Sequence, residues 1–216
     1  MNGNVPRSQR YRTFVLMMLS GGFMGAYSYF LKGGVFANAE TANLLILASN
    51  VANGDWSASI AVLLPILTFA VGSFLSEFMK DVLKDLWPLV MLVFDMALIL
   101  VLAFLPESTP FSVYHVSIAL ISSMQFNTFT SSHGVALSTL FCTAHLRNWA
   151  SAGYVAIRHS DKKALEKSLL HFGMIATFLL GAFLSSIMGR HFGSQTIIFS
   201  LIPLSFVFFW ILSERD

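Results

Sequence analysis

Six runs of about 20 predominantly apolar residues follow one another along the chain, at roughly 13–31, 58–79, 86–105, 112–131, 169–188 and 194–212. A helix needs about 20 residues to cross a hydrocarbon core ~30 Å thick. In lipid every backbone N–H and C=O must be met inside the protein, which leaves helices and closed barrels as spanning structures. Runs this long select helices. Composition agrees: 56% of residues are hydrophobic and 11% charged, where a soluble domain averages about 25% charged. The expectation is an all-α integral membrane protein, with residues 1–216 as one membrane domain and the lipid bilayer as its main partner. A net charge of +2 gives no basis for binding nucleic acid. The single cysteine, Cys142, excludes an internal disulfide and any zinc site built on several cysteines. Arg7, Arg10 and Arg12 before the first run read as an uncleaved signal-anchor.

Two apolar stretches remain, 39–52 and about 138–152. Both are short and interrupted by polar side chains. Charge placement decides whether they cross. If they do not, Arg7, Arg10, Arg12, Lys80, Lys84, Arg147, Arg158, Lys162, Lys163, Lys167 and Arg215 share the cytoplasmic side with both termini. Only Lys32 and Arg190 then lie outside. If both cross, Lys80 and Lys84 move outside. The positive-inside rule favours six transmembrane helices with two re-entrant or half-helix segments. Irregular backbone at membrane depth is tolerated only inside protein or along a wet cavity, so both segments belong at the centre of the bundle. Trp56, Trp87, Trp149 and Trp210 fall near span ends, as an aromatic belt would. In the polar connector between the fourth and fifth spans, Ser160 and Asp161 are placed to cap the helix that follows.

The halves resemble each other. Gly34-Val35 matches Gly134-Val135, Thr41-Ala42-Asn43-Leu44 matches Thr143-Ala144-His145-Leu146, and residues 69–76 match 178–185, in that order. The offset grows from 100 to 102 to 109 residues, with the larger insertion in the polar connector. Self-similarity in a fixed order marks a repeat. Each half, about 13–105 and 112–213, then crosses three times. An odd number inverts the second half, giving inverted three-span repeats of the kind used by transporters.

At these same residues the chain resembles the YoaK-type bacterial membrane proteins, a group of unknown function with six expected spans. The resemblance rests on Gly21-Gly22-Phe23, Gly33-Gly34-Val35-Phe36-Ala37-Asn38, Thr41-Ala42-Asn43, Gln125-Phe126-Asn127 and Thr143-Ala144-His145. It implies fold, topology and a bacterial inner (plasma) membrane location, and no activity. Gly25 stands where the family has an aspartate, and Ala42 and Ala144 stand where its two Thr-Gly motifs have glycine.

Several polar residues could serve a site in the bundle. Asp95 lies mid-span, where a carboxylate costs several kcal/mol unless paired, protonated or hydrated. It is a coupling group or a structural acid. Glu40, Thr41 and Asn43 open the first short segment, where Thr41 or Asn38 could cap a half-helix whose N-terminus attracts acceptors. Thr143 and His145 are their second-half counterparts, and His145 titrates near neutral pH unless it is simply buried structure. Gln125 and Asn127 bind another helix or line a cavity. Gly21 and Gly25, Gly72 and Ser76, and Gly181 and Ser185 form small-xxx-small pairs that allow close helix approach, within the monomer or in a homo-oligomer. No Walker loop, His-Glu-x-x-His or other cofactor or metal motif occurs, and Ser132-His133-Gly134 has no acid placed beside it. The leading expectation is a transporter for a small polar solute or ion, proton-coupled through Asp95, and not an enzyme. A passive channel and a non-transport scaffold or assembly protein are the alternatives.

Overall fold

A computed structural model describes residues 6–132 and 135–214. His133, Gly134 and Arg215 lie outside the described residues. Among the described residues, eight α-helices carry the fold: α1 Tyr11–Ala26, α2 Glu40–Ala52, α3 Trp56–Leu83, α4 Trp87–Ala103, α5 Phe111–Thr128, α6 Cys142–His159, α7 Lys162–Phe192 and α8 Leu201–Leu212. A π-turn, Tyr27–Leu31, extends α1, and a 3-10 stretch, Gly193–Ser200, leads into α8. Strands Ser131–Ser132 and Val135–Ala136 pair antiparallel.

Among the described residues, three helical runs are long and apolar enough to cross a membrane: Tyr11–Leu31, Trp56–Ala103 and Lys162–Leu212. Their outward faces carry large apolar side chains such as Leu67, Phe74, Leu179, Phe183 and Phe206. Apolar surface on that scale needs a cover, and lipid supplies it. This is a helical membrane protein. The second and third runs each break once, at Lys84 and at Gly193, where φ turns positive (48° and 51°) with ψ near −122° and −128°. Glycine adopts that geometry without strain and lysine does not.

Helix α1 packs along α7, and α5 packs along α3. Helix α2 lies on α3 and α6 on α7; α8 touches both α1 and α4. Glycine sets the first two contacts. A Cβ on Gly22 would collide with the Phe178 backbone, one on Gly181 with the Leu19 carbonyl, and one on Gly72 with Ser123. The small-residue seams therefore operate inside the monomer. The chain ends meet: Glu214 accepts from the Arg7 amide at 2.7 Å, and the Arg7 guanidinium stacks 4.6 Å from the Trp210 ring.

Both short segments are helices; α2 begins at Glu40 as the pattern suggests, while the start of α6 and the caps of both differ from expectation. Helix α2 spans 13 residues, about 20 Å, too short to cross. Helix α6 begins later than the apolar pattern suggests and runs on into the polar connector to His159, 18 residues in all. Asp161 caps α7 as expected, accepting from Lys163 and Ala164 amides. Neither short helix has a side-chain cap: Ala39 and Phe141 hold those positions. Asn38 instead donates to the Gly21 carbonyl at 2.9 Å, and Thr41 is exposed. Trp87 is also not a belt residue. It is 2% exposed and donates to Thr128 at 2.8 Å.

Two outcomes follow. Gly181→Val drives a branched side chain into the α1 backbone, and the yield of monodisperse protein in detergent should collapse relative to wild type. Lys84→Gly relieves the positive-φ strain and should stabilise by about 1 kcal/mol, read as a higher thermal unfolding midpoint.

Candidate functional site

The glycine face of α1 is the meeting point. Gly25 abuts Asn38 of the loop before α2, and Gly21 abuts Thr139 and Leu140 of the loop before α6. Gly21 sits halfway along the Tyr11–Leu31 run, so both short helices begin at its mid-depth. Between the two loops lies a cavity of about 400 Å³. Its walls are Gly22, Gly25 and Ala26 of α1, Phe36, Asn38 and Ala39 before α2, Leu140 to Thr143 at the start of α6, and Phe178 and Ala182 of α7, with Tyr29 and Phe30 at one edge. The lining is mostly aromatic and small; Asn38 and Thr143 bring polar side chains and Cys142 a thiol.

The same tie holds each loop in shape. Asn43 donates to the Phe36 carbonyl at 2.7 Å, and His145 Nε2 meets the Ser138 carbonyl at 2.9 Å. In both cases the fourth residue of the helix reaches back seven residues along the chain. Asn43 also donates to Glu40 at 2.9 Å, leaving one Glu40 oxygen buried and unpartnered. Asn43 and His145 are buried at 0% and 1% exposure. The Thr-Ala-x motifs thus pin the loops through their third residue. Only Thr143 of the six residues in them lines the cavity.

His145 has a partner that sequence alone did not single out. Its Nδ1 lies 2.9 Å from Nδ1 of His171 on α7. The Ser138 carbonyl only accepts, so His145 Nε2 carries the hydrogen. With both rings neutral, His145 Nδ1 then accepts and His171 Nδ1 donates. His171 Nε2 remains buried without a partner. His171 stands at the start of the fifth apolar run, and no spacing rule links it to His145, 26 residues away.

Asp95 and Gln125 form a second, separate pair. Gln125 donates to Asp95 Oδ2 at 3.0 Å, both side chains are fully buried, and Asp95 Oδ1 and Gln125 Oε1 have no partner. Asn127 faces α3 instead, donating to Ser73 at 2.9 Å and to the Ser123 carbonyl at 2.8 Å. The expected site residues therefore divide among the α1 glycine face, the α4–α5 contact and the α3–α5 contact.

Two further features were not anticipated. Lys32, 2% exposed, is held by Ser194 at 2.7 Å and lies 3.6 Å above the Tyr114 ring, with Tyr27 and Phe111 beside it. Burial lowers its pKa from the usual ammonium value, opposed by Glu107. At the other end a cleft of about 530 Å³ opens between the chain ends, lined by Lys80, Lys84, Trp87, Thr128, Ser131 and Glu214 among others. Among the described residues, no three His, Cys, Asp or Glu side chains gather to hold a metal ion.

Fold and site place the chain in a class, the helical membrane proteins with buried polar pairs. Within that class it belongs to a family described as a protein of unknown function, DUF1275, which matches residues 13–210. Membership in that uncharacterised family is compatible with the resemblance drawn from the glycine and Thr-Ala motifs. No curated protein and no solved structure matches the chain.

His171→Leu strips the His145 Nδ1 of its donor. It should cost about 1–3 kcal/mol in unfolding free energy. In a double-mutant cycle with His145→Leu, the two changes should couple by more than about 0.5 kcal/mol.

Proposed function

We propose that this protein is a small-solute transporter of a bacterial inner membrane, with six crossings in two inverted three-span halves, both chain ends cytoplasmic, and Asp95 as the proton-coupling group. One observation carries the reading: two short helices, one from each half and neither capped by a side chain, begin at one cavity beside the glycine face of α1. The first N–H groups of such helices lack intrahelical partners and their N-termini are electropositive. Discontinuous helices meeting at mid-depth are the usual ligand site of inverted-repeat transporters.

Several features support the inverted plan. If α1 to α4 correspond to α5 to α8, the α1–α7 contact maps onto α5–α3, α2–α3 onto α6–α7, and α1–α8 onto α5–α4. The seven-residue ties fall 102 residues apart, at Asn43 and His145. The positive-φ breaks at Lys84 and Gly193 fall 109 apart, the same offset as Gly72 and Gly181. The adjacency of Arg7 and Glu214 supports an even number of crossings. The YoaK-type assignment belongs with this reading.

The cavity walls select the solute. Aromatic and small apolar side chains favour a compact molecule with an apolar body. Its electron-rich polar group would turn toward the helix N-termini, Asn38 and Thr143. Glu40, at the first position of α2, offsets that helix's positive end, so the α6 end attracts acceptors more strongly.

Cys142 lines the cavity and reports on it. A small membrane-impermeant thiol reagent should label Cys142 in the folded protein reconstituted in nanodiscs. Labelling that appears only after unfolding would mean a dry, closed interior, and would replace the transport reading with that of a packed scaffold.

A further inference from the structure

Helix α5 buries polar atoms that the fold leaves unmet. Tyr114, Ser122 and Gln125 lie within about 80° of one another around the helix at ~100° per residue; Gln125 meets Asp95 of α4, and Tyr114 meets Tyr27 and Lys32 beyond α1. The Tyr114 hydroxyl, the Ser122 hydroxyl and Gln125 Oε1 each lack a partner, as does Asp95 Oδ1 across the contact on α4. All four side chains are fully buried. Thr196, on the 3-10 stretch packed against α4, adds a fifth unmet hydroxyl. An unmet buried polar group costs about 1–3 kcal/mol. Five together would cost as much as the whole stability of a typical fold. They call for a small ligand that both donates and accepts, and water is that ligand.

The line has defined ends. At one, Tyr114 lies under the Lys32 ammonium, and His115 Nε2 meets the Lys32 carbonyl. At the other, the Trp87–Thr128 hydrogen bond, one turn beyond Gln125, stands at the floor of the 530 Å³ cleft. The 3-10 stretch and α8, which pack on α4, carry no charged side chain. Glu77, Lys80, Asp81, Lys84 and Asp85, on α3 and the turn into α4, all belong to the cleft end of their elements. Asp95 is therefore the one ionisable group between the two ends of the line among the described residues of α4, α5 and α8.

We propose that this line is a water-filled proton path between the cleft and the Lys32 cage, with Asp95 as its carrier and the Trp87–Thr128 bond as its inner gate. A hydronium in the cleft gives its proton to the Asp95 carboxylate and leaves as water. The Asp95 O–H then passes the proton to a water held by Gln125 Oε1 and Ser122, which becomes hydronium and hands a proton to the next water toward Tyr114, and the carboxylate is restored. Only O–H bonds form and break. The path deepens the transport reading by supplying its coupling route, but it stands on residues remote from the Cys142 cavity.

Infrared spectroscopy of the full chain in nanodiscs tests it. A protonated-carboxyl C=O band that disappears in Asp95→Asn is followed through a pH series and after transfer to D₂O. In wild type the band should appear as the pH falls and shift to its deuterated position within seconds. In Ser122→Val the shift should slow by roughly tenfold, equivalent to about 1.4 kcal/mol on the barrier. Ser122→Ala serves the same purpose if valine disturbs packing. A band absent at every pH, a band that exchanges only over many minutes in wild type, or exchange unchanged in both Ser122 variants would each overturn the path. A band absent at every pH would also remove Asp95 as the coupling group, whereas slow exchange, or exchange unchanged in both Ser122 variants, overturns the path alone; an unlabelled Cys142 overturns the transport reading and leaves the exchange result untouched.

Discussion

Everything in the interior depends on how closely backbone can approach α1. Gly21, Gly22 and Gly25 give that helix a face without side chains, and three other segments press against it: the loop before α2, the loop before α6, and α7 at Phe178. Irregular backbone is costly at membrane depth because its polar groups have no water to turn to. Placed against bare helix backbone, it can be shielded and partly satisfied, as when Asn38 donates to the Gly21 carbonyl. Gly181 makes the reciprocal contact from α7. Without this face the two loops would have to lie in lipid, and the short helices could not start where they do.

Once the loops are fixed there, the remaining polar side chains take on distinct tasks. Asn43 and His145 tie each loop to its own helix, and their burial makes them parts of the scaffold around the cavity. His171 extends the second tie into α7. The α6 loop thereby gains an interhelical link that the α2 loop lacks, since Asn43 turns to Glu40 within its own helix. The two ties are thus alike in geometry and different in chemistry. A site between them would be asymmetric, with Thr143 and Cys142 on one wall and Asn38 on the other.

The Asp95–Gln125 pair belongs to another compartment. It lies between α4 and α5, while the cavity lies between α1, α7 and the two loops. α5 touches α3 along its length and α1 only lightly. In the proposed transporter, a proton at Asp95 and a solute at the cavity would communicate through helix movement rather than direct contact. The long α3 and α7, each bearing a short helix and a glycine contact, are the elements able to carry it.

The sequence by itself determined the membrane class, the position of the apolar runs and the burial of Asp95. Lipid penalises charge and unmet backbone wherever the chain folds, so hydropathy and length carry that information locally. It also located both short segments, because polar side chains interrupt them. It misjudged their caps: Thr41 is exposed and Asn38 reaches a different helix, since a capping pattern records what is nearby in sequence and not what lies across the bundle. Trp87 was placed in a belt for the same reason. Only the tertiary structure decided the partners, His171 for His145, Gln125 for Asp95, and the aromatic cage for Lys32. Periodicity tells which face of a helix a residue occupies, but the residue it meets is set by the packing and rotation of helices far apart in the chain, and here that packing is governed by how near glycine lets them come.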